Sequence, residues 1–420
     1  MLFFYNIGNR LFGTVVFLLS FFKPKAKQWV DGRKNWQDNF KQLLKPNEKR
    51  IWIHCASLGE FEQGRNLTEA IKNDYPSYKI VLTFFSPSGY EVRKSYEYAD
   101  YVFYLPLDTK SNAKQFVQLI NPSLAIFVKY EFWYHYLNEL HQQKIPTIII
   151  SAAFRKEQPF FKWYGNLFRK MLQNFTAIFV QDEASKTLLQ TIGIDQNVIA
   201  AGDTRYDRVL SIAANIKPLP SIKSFINNDP VLIAGSTWPD DEKIIQESFH
   251  ALTDEWKLII APHEVNKERI EQIKKLFPDA ILYSDIKNDD FFAGKRTLII
   301  DNIGMLSSLY AYGKIAFVGG GFQNGGIHNI LEPAVFGIPV LFGPVYKKFI
   351  EADKLVSLEL CFSIDNSTTY KELLIKLSTD ELYYQSVHQS LLKFMMEQAG
   401  ATGEIMNYLH QSFMNKSTIN

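Results

Sequence analysis

A short acidic segment, Ser57-Leu58-Gly59-Glu60, follows the first predicted strand of the chain. A glycine at a strand-to-helix turn lets the backbone approach a ligand closely, and the start of the following helix favours anions. A carboxylate at the carboxyl end of a strand, here Glu60, can act as a general base. The same S-x-x-E spacing is that of a capping box, in which Ser57 and Glu60 cap the helix. The spacing by itself favours the cap, although both roles can hold for different groups of one loop.

A glycine-rich segment, GGGFQNGG at 319–326, follows a later predicted strand. The N–H groups of such a flexible loop can surround a phosphate. Its spacing matches neither a dinucleotide-binding fingerprint nor a Walker loop. Taken alone, a purely structural glycine loop explains the segment equally well.

The next segment, HNILEPAVFGIP at 328–339, gives the most specific signal in the chain. The pattern predicts a helix that begins near Asn329 and ends at Gly337, with Pro339 opening the next strand. Asn329 and Glu332 lie one helical turn apart, so they can bind ribose hydroxyls while the helix start meets a phosphate. An acidic residue in a first turn also stabilises a helix through its dipole, which gives Glu332 a structural explanation as well.

Smaller polar signals follow other predicted strands, at Glu131, Arg205, 235–237 and Pro262-His263. Each alone is typical of a turn or a surface charge, but together they lie at strand carboxyl ends, where doubly wound folds bind ligands. No Asp-x-Asp triplet occurs, so the usual metal-diphosphate clamp of many sugar transferases is missing. The charge on a leaving phosphate would then have to be met by Arg, Lys and helix N-termini.

Strand-loop-helix repeats position these residues. The first set of predicted strands is 51–56, 79–85, 101–105, 124–130, 147–153, 177–181 and 198–202. The second set is 231–235, 256–262, 280–284, 297–301, 314–319 and 339–342. Short β-branched or aromatic runs that alternate with helical segments are typical of buried parallel strands, so the fold class is α/β with two doubly wound domains. Tandem domains of this kind leave a cleft to which both sheets can present loops.

The domain limits follow from breaks in this pattern. We predict an N-terminal anchor, a first domain, a linker with three prolines, a second domain and a helical tail that can pack back on the first domain. Their ranges are 1–30, 31–211, 212–230, 231–385 and 386–420.

The N-terminus carries an apolar stretch, Met1 to Phe22, with lysines just beyond it. A cleaved signal peptide has the reverse order, with basic residues before the apolar run. The uninterrupted part, 11–22, is short for a full span, and polar residues fall on one side of the helix (Asn6, Asn9, Arg10, Gly13 and Thr14). This favours a helix that lies in or dips into a membrane interface, with the lysines near anionic lipids. The alternative is an ordinary buried first helix.

Composition excludes several classes of protein. The formal net charge of +2 gives no case for a nucleic-acid partner. The only cysteines, Cys55 and Cys361, form neither a disulfide framework nor a zinc site, which fits a reducing cytoplasm.

With these motifs in order, the sequence resembles the Kdo transferases, which add 3-deoxy-D-manno-octulosonic acid (Kdo) from CMP-Kdo to the lipid A precursor. The resemblance extends from the N-terminal anchor to about residue 352. The matching segments are WIHCASLGEFE (52–62), KYEFW (129–133), GDTRYD (202–207), AGST (234–237) and GGGFQNGGIHNILEPAVFGIPVLFGP (319–344). The last of these, with SLGE in place, is highly specific.

The resemblance implies a GT-B fold, with the acceptor on the first Rossmann-like domain and the CMP-sugar mainly on the second. It implies an inverting transfer, with Glu60 as the catalytic base and with Glu131 and Arg205 stabilising the transition state. The implied CMP contacts are Pro262, His263, Gly304, Met305, Leu306, Asn329, Ile330, Leu331 and Glu332. It further implies catalytic domains on the cytoplasmic side of the inner membrane, with CMP-Kdo and the lipid A precursor as partners and with no cofactor or metal.

This chain departs from the family pattern at three positions: His263 replaces Arg, Arg205 replaces Lys, and Lys129 replaces the first Glu of an E-x-E segment. We interpret these as variation within the activity. Two other readings stay open. One is another GT-B transferase or a nucleotide-sugar epimerase that uses a uridine nucleotide. The other is a non-catalytic, membrane-bound nucleotide-binding protein.

Overall fold

The computed structural model describes residues 1–286, 292 and 294–414. The chain forms two compact units, one of residues 1–208 with 399–420 and the other of residues 209–398. The last six residues of the predicted tail, 415–420, lie outside the described residues.

The first unit is built on a parallel sheet of seven strands in the order β3-β2-β1-β4-β5-β6-β7. The strands are β1 (Arg50–Cys55), β2 (Lys79–Phe84), β3 (Tyr101–Tyr104), β4 (Pro122–Val128), β5 (Thr147–Ala152), β6 (Ala177–Val180) and β7 (Val198–Ala200). Every strand predicted for this part of the chain is present, within a few residues of its predicted ends. Buried apolar clusters cover both faces of the sheet, which is why its strands read as nearly continuous apolar runs.

Helices cover this sheet and precede it. They are α1 (Leu2–Leu19), α2 (Pro24–Asp31), α3 (Trp36–Leu43), α4 (Leu58–Asp74), α5 (Pro87–Arg93), α6 (Lys110–Ile120), α7 (Tyr134–Gln142), α8 (Asn166–Gln173), α9 (Glu183–Gln190) and α10 (Thr204–Ala214). Each of α4, α5, α6, α7 and α9 follows a strand, as a doubly wound fold requires.

Helix α1 lies with its polar side against the first unit. Tyr5 and Asn9 donate hydrogen bonds to the side chain and the carbonyl of Asp108, and Asn6 contacts His135 Nε2 at 2.6 Å. The backbone N–H groups of His135 and Tyr136 also donate to Asp108. The polar stripe seen in the sequence is therefore used for docking within the protein. The alternative to an interfacial helix, an ordinary buried first helix, is wrong because α1 has no buried residue.

The second unit is built on another parallel sheet of seven strands, in the order β10-β11-β9-β8-β12-β13-β14. Its strands are β8 (Val231–Thr237), β9 (Lys257–Pro262), β10 (Ile281–Leu282), β11 (Thr297–Ile299), β12 (Ile315–Val318), β13 (Val340–Phe342) and β14 (Cys361–Ser363). The pattern of apolar runs does not predict β14. Its three residues carry no β-branched side chain, and its pairing with β13 makes it a strand.

The helices of the second unit cross two of the predicted domain limits. In the described part of this unit, the α-helices after α10 are α11 (Pro220–Ile226), α12 (Pro239–Phe249), α13 (Lys267–Leu276), α14 (Leu306–Leu309), α15 (Leu331–Ala334), α16 (Ile350–Ser357), α17 (Ser367–Thr379) and α18 (Glu381–Glu397). The predicted linker therefore contains the end of α10 and all of α11, and the predicted limit at 385 falls inside α18.

Helix α15 is much shorter than the helix predicted from Asn329 to Gly337. Pro333 has no N–H to donate, and the N–H groups of Phe336 and Gly337 bond three residues back, to Pro333 and Ala334. Gly337 then adopts a left-handed conformation with φ 71°. The chain therefore makes one helical turn and closes it with tight turns.

The C-terminal helix α19 (Ala401–Leu409) belongs to the first unit. Its side chains Ile405, Met406 and Leu409 join the buried cluster on one face of that sheet. Asp207 accepts hydrogen bonds from the backbone N–H groups of Gly400 and Thr402, each at 2.6 Å. A carboxylate from α10 thus caps the start of α19 in place of a local side chain.

We expect Asp207→Ala to lower the free energy of unfolding by about 1–2 kcal/mol, because it leaves the first N–H groups of α19 without their acceptor. Urea denaturation followed by circular dichroism measures the change. Glu157→Ala is the control, since Glu157 is an exposed carboxylate outside α10 and α19. Equal stability of the two variants would contradict the capping role.

Candidate functional site

The predicted catalytic residues of the first unit follow adjacent strands at the point where the strand order reverses. Glu60 comes after β1 and Glu131 after β4, and these strands pair in parallel with His54 opposite Phe127. Helices leave the sheet on opposite sides of such a switch point, which opens a crevice at the carboxyl ends of the strands. The fold therefore brings the loops of Glu60 and Glu131 to the same edge.

Glu60 lies in the first turn of α4, and its carboxylate turns back to the start of the helix. The backbone N–H and the hydroxyl of Ser57 both donate to Glu60 Oε2, at 2.7 and 2.6 Å. The capping interaction expected from the spacing is therefore present. It occupies one oxygen of the carboxylate, and Oε1 has no hydrogen-bond donor among the residues described.

Glu131 is buried, with 6% of its surface exposed, in the loop between β4 and α7. Lys129 at φ 68° turns the chain at the end of β4. Glu131 Oε2 lies 3.0 Å from His54 Nε2 and accepts a hydrogen bond of 2.6 Å from Trp133 Nε1. The carboxylate is therefore held by two ring nitrogens, one of His54 and one of Trp133.

Several carboxylates of this edge lie close enough to affect a neighbouring thiol. The pKa of Cys55 is raised well above its usual value, first by burial and then by the charges of Glu60, Glu131 and Glu62. Cys55 is thus a buried, protonated thiol and no nucleophile. Glu62 in turn is paired with Arg93 at 2.7 Å and Arg208 at 3.3 Å.

Arg205 lies in the first turn of α10, where Asp203 engages its guanidinium. Its Nε and Nη2 donate to Asp203 Oδ2 at 2.9 and 2.6 Å, and its backbone N–H donates to Oδ1. The transition-state role predicted for Arg205 would therefore be filled by a side chain that a carboxylate already orients.

In the second unit, the glycine-rich loop follows β12, next to β8, again where the strand order reverses. A side chain at Gly319 would lie 2.3 Å from the carbonyl oxygen of Ser236, and one at Gly321 would lie 2.4 Å from the backbone nitrogen of Gly343. These glycines are required because backbone segments pass each other too closely for a Cβ atom. Gly319 and Gly321 therefore have a structural reason to be glycine that does not depend on what the loop binds.

Three aromatic rings stack beside this loop. His263 lies between Trp238, with ring centroids 4.8 Å apart, and His328, at 4.4 Å. Trp238 Nε1 donates to His328 Nε2, and burial followed by the neighbouring His263 lowers the pKa of His328 to about 4. His328 is therefore neutral at physiological pH and accepts a hydrogen bond. Pro262, the other residue predicted here, ends β9.

The predicted nucleotide-binding residues after the glycine loop divide into polar and buried ones. Asn329 Nδ2 donates to Glu332 Oε1 at 3.0 Å, and Asn329 Oδ1 accepts from the N–H of Leu331. The side chains of Ile330 and Leu331 are buried in the core. They can therefore contribute only their main chain to a ligand.

The remaining predicted segment, Gly304-Met305-Leu306, follows β11 and leads into α14. Gly304 is exposed and adopts φ 98°, a conformation that favours glycine. Leu306 packs near Gly235 at the end of β8. This segment therefore shares the carboxyl edge of the second sheet with the glycine loop.

Asp241 connects the glycine loop to the start of α12. Its Oδ2 accepts hydrogen bonds from the N–H groups of Trp238 and Gly320, at 2.8 and 2.9 Å. Its Oδ1 and the hydroxyl of Tyr370 are buried without a partner among the residues described. Burial raises the pKa of Asp241 from 3.8 to about 6, against the effect of the two N–H donors.

Sequence reasoning missed four polar residues at these edges: His54, Thr83, Trp238 and Asp241. His54 lies in a strand that the sequence predicts to be buried. The signal that could have identified it is a histidine in an otherwise apolar strand. Trp238 and Asp241 follow the AGST segment directly. The partners of these residues lie far away in the chain, so their roles could not be read from spacing.

Comparison with known proteins relates both units to sugar-transferring enzymes. Residues 34–208 match the family model described as 3-Deoxy-D-manno-octulosonic-acid transferase (kdotransferase). The 3-deoxy-D-manno-octulosonic acid transferase of Chlamydia trachomatis is 28% identical over 86% of this chain and 84% of its own length. A bifunctional glycosyltransferase/methyltransferase of Fusobacterium nucleatum is 29% identical over 86% of this chain, which spans only 57% of that longer protein.

The fold is also found in solved structures. UDP-GlcNAc 2-epimerase from Neisseria meningitidis superposes with a TM-score of 0.62 over 86% of this chain and all of its own, at 16% identity. At that identity the likeness shows the fold alone. It confirms the predicted GT-B class, with two Rossmann-like doubly wound domains.

We expect Asp241→Asn to stabilise the protein at pH 7.5 by roughly 1–3 kcal/mol, with the gain disappearing toward pH 4. The folded protein holds the proton of Asp241 more tightly than the unfolded chain does, so wild type loses stability as the pH rises from about 4 through about 6. An asparagine oxygen can still accept from Trp238 and Gly320 without a buried charge.

Urea denaturation of both proteins at pH 4.5, 6 and 7.5 measures this difference. The comparison uses the difference in stability between variant and wild type. The lowered pKa of His328 makes both proteins more stable as the pH rises over this range, which opposes the effect of Asp241 in wild type. A variant that is less stable than wild type by the same amount at every pH would contradict the prediction.

Proposed function

We propose that this chain is a 3-deoxy-D-manno-octulosonic acid transferase that transfers Kdo from CMP-Kdo to the lipid A precursor, because residues 34–208 match the model of that family and relatives of that name are 26–28% identical over most of the chain. We propose further that the transfer inverts the anomeric centre and needs no metal. One observation carries the proposal: the family-matched unit presents Glu60 and Glu131 at the switch point of its sheet.

In the proposed reaction, a hydroxyl oxygen of the acceptor sugar attacks the anomeric carbon of Kdo while the bond to the phosphate of CMP breaks. Glu60 takes the hydroxyl proton through Oε1, since Ser57 occupies Oε2. Attack opposite the leaving group inverts the centre. The charge of Glu131 stabilises the oxocarbenium-like character of the Kdo ring in the transition state.

The second unit binds the donor in this proposal. Asn329 and Glu332 bind the ribose, and N–H groups of the segments around Gly304 and Gly325 receive the phosphate. The ring of His263 replaces the arginine of the family pattern, so Arg205 carries more of the phosphate charge. Its position beside Asp203 supports this because the guanidinium is already oriented.

A lipid acceptor requires attachment to the membrane surface, and α1 is suited to it. The helix has 18 residues and is apolar enough to cross a membrane, which by itself is weak support. Its outward side exposes large apolar residues, among them Phe4 at 70%, Leu11 at 61% and Leu18 at 56%. Its docked polar side couples the helix to the catalytic unit. We propose that α1 enters the cytoplasmic leaflet of the inner membrane, with both units on the cytoplasmic side.

Glu60→Gln tests the base directly. Glutamine keeps an oxygen that can accept from Ser57 and so preserves the cap, but it cannot take a proton at neutral pH. We expect Kdo transfer to fall about 10²–10⁴-fold with little change in melting temperature. The assay measures the mass gain of the tetra-acylated lipid A precursor by mass spectrometry, with CMP-Kdo generated in place and with EDTA present after that step.

Ser57→Ala is the matched control, because it weakens the cap and leaves the carboxylate. Transfer by wild type and Ser57→Ala, but not by Glu60→Gln, supports the base. Full activity of Glu60→Gln would reduce this residue to a helix cap. No mass gain with wild type would exclude the proposed donor and acceptor pair.

The membrane role of α1 is tested by the double variant Leu11→Glu/Leu18→Glu. Two charges on its outward side cost several kcal/mol in hydrocarbon, so we expect loss of flotation with anionic vesicles. Leu382→Glu is the control, since Leu382 is 87% exposed on α18. Equal flotation of both variants would contradict membrane attachment through α1.

A further inference from the structure

A chain of buried polar side chains leads from the interior of the first sheet to Glu131. Trp52 and His54 lie on the same face of β1, and Thr83 lies on β2 opposite His54. Trp52 Nε1 donates to Thr83 Oγ1 at 2.8 Å, and Thr83 Oγ1 lies 2.9 Å from His54 Nδ1. His54 Nε2 then meets Glu131 Oε2 at 3.0 Å. All three strand residues are completely buried.

The hydrogen-bond pattern selects one tautomer of His54. Thr83 Oγ1 already accepts the N–H of Trp52, so its own hydroxyl proton needs an acceptor. His54 Nδ1 at 2.9 Å is a good acceptor, whereas the carbonyl of Ile53 at 3.5 Å is a poor one. Nδ1 therefore accepts, and the proton of the neutral ring is on Nε2, where it is donated to Glu131.

Trp133 completes the arrangement around the carboxylate. Its Nε1 lies 2.6 Å from Glu131 Oε2 and 3.2 Å from His54 Nε2. Because Nε2 carries a proton, the indole donates to Glu131. Both N–H groups thus converge on Oε2, and no residue that the structure describes donates to Oε1.

We propose that His54 is a positioning residue for Glu131, held by Thr83 in the tautomer that donates from Nε2. The two neutral donors fix the carboxylate without neutralising it, so that its charge and its free Oε1 face the reacting sugar in one orientation. This inference rests on the proposed function for the role of Glu131, whereas the tautomer itself does not.

A buried histidine that merely satisfies the core would have the same contacts, so the variants must separate the two roles. Thr83→Val removes the hydroxyl that sets the tautomer, and Thr83→Ser keeps it. Trp52→Phe removes a hydrogen bond to Thr83 without changing the donor to His54 Nδ1. It is the control for loss of a buried hydrogen bond alone.

We expect the kcat of Kdo transfer to fall about 10²-fold in His54→Leu and about tenfold in Thr83→Val, with KM for the donor nearly unchanged, because a misplaced catalytic group slows the chemical step. His54→Gln, whose amide can donate near the Nε2 position, should recover part of the loss. Thr83→Ser and Trp52→Phe should retain wild-type kcat. Equal kcat in Thr83→Val and Thr83→Ser would overturn the proposal, even where His54→Leu fails to fold.

Nitrogen-15 NMR of histidine-labelled protein gives an independent measurement. The signals of His54, assigned by their absence in His54→Gln, should show a protonated Nε2 and an unprotonated Nδ1 at neutral pH. A proton on Nδ1 would overturn the arrangement. If wild type transfers no Kdo, the proposed function fails, and the tautomer alone decides whether His54 positions Glu131.

Discussion

Parallel pairing of β1 with β4 is the contact on which the candidate site depends. The strands are distant in sequence, yet their register places the loops after Cys55 and Val128 side by side. One loop carries Glu60 at the start of α4, and the other carries Glu131. Because β2 lies on the other side of β1, the same pairing also places Thr83 within reach of His54. A shift of register by one residue would turn His54 to the opposite face and break the contact.

Because these polar contacts are buried, each polar group in them needs its partner. A polar group in the core that loses its partner costs about 1–3 kcal/mol, so Thr83 constrains His54 and His54 constrains Glu131. Glu60 is different, because it is held at the start of α4 by the adjacent Ser57. The first unit thus combines a local means of orienting one carboxylate with a long-range means of orienting the other.

The candidate edge of the second unit depends on backbone segments that pass close to each other. Gly319 and Gly321 let the loop after β12 pass close to the ends of β8 and β13. Asp241 then ties Gly320 to the start of α12. That tie is made by a buried carboxylate whose Oδ1 has no partner among the described residues, which costs stability at neutral pH. The loop is therefore held in place at the expense of the unit's own stability.

Local patterns in the sequence determined most of the strands, the S-x-x-E interaction of Ser57 with Glu60, and the apolar character of α1. These features depend on residues that are close together in sequence, so their spacing can be read directly from it. Tertiary structure alone decided that Glu131 meets His54, that His263 stacks on His328, and that the polar side of α1 faces Asp108. It also shortened α15 and made Cys361–Ser363 a strand. Such contacts join residues far apart in sequence, and only the order and register of the strands bring them together.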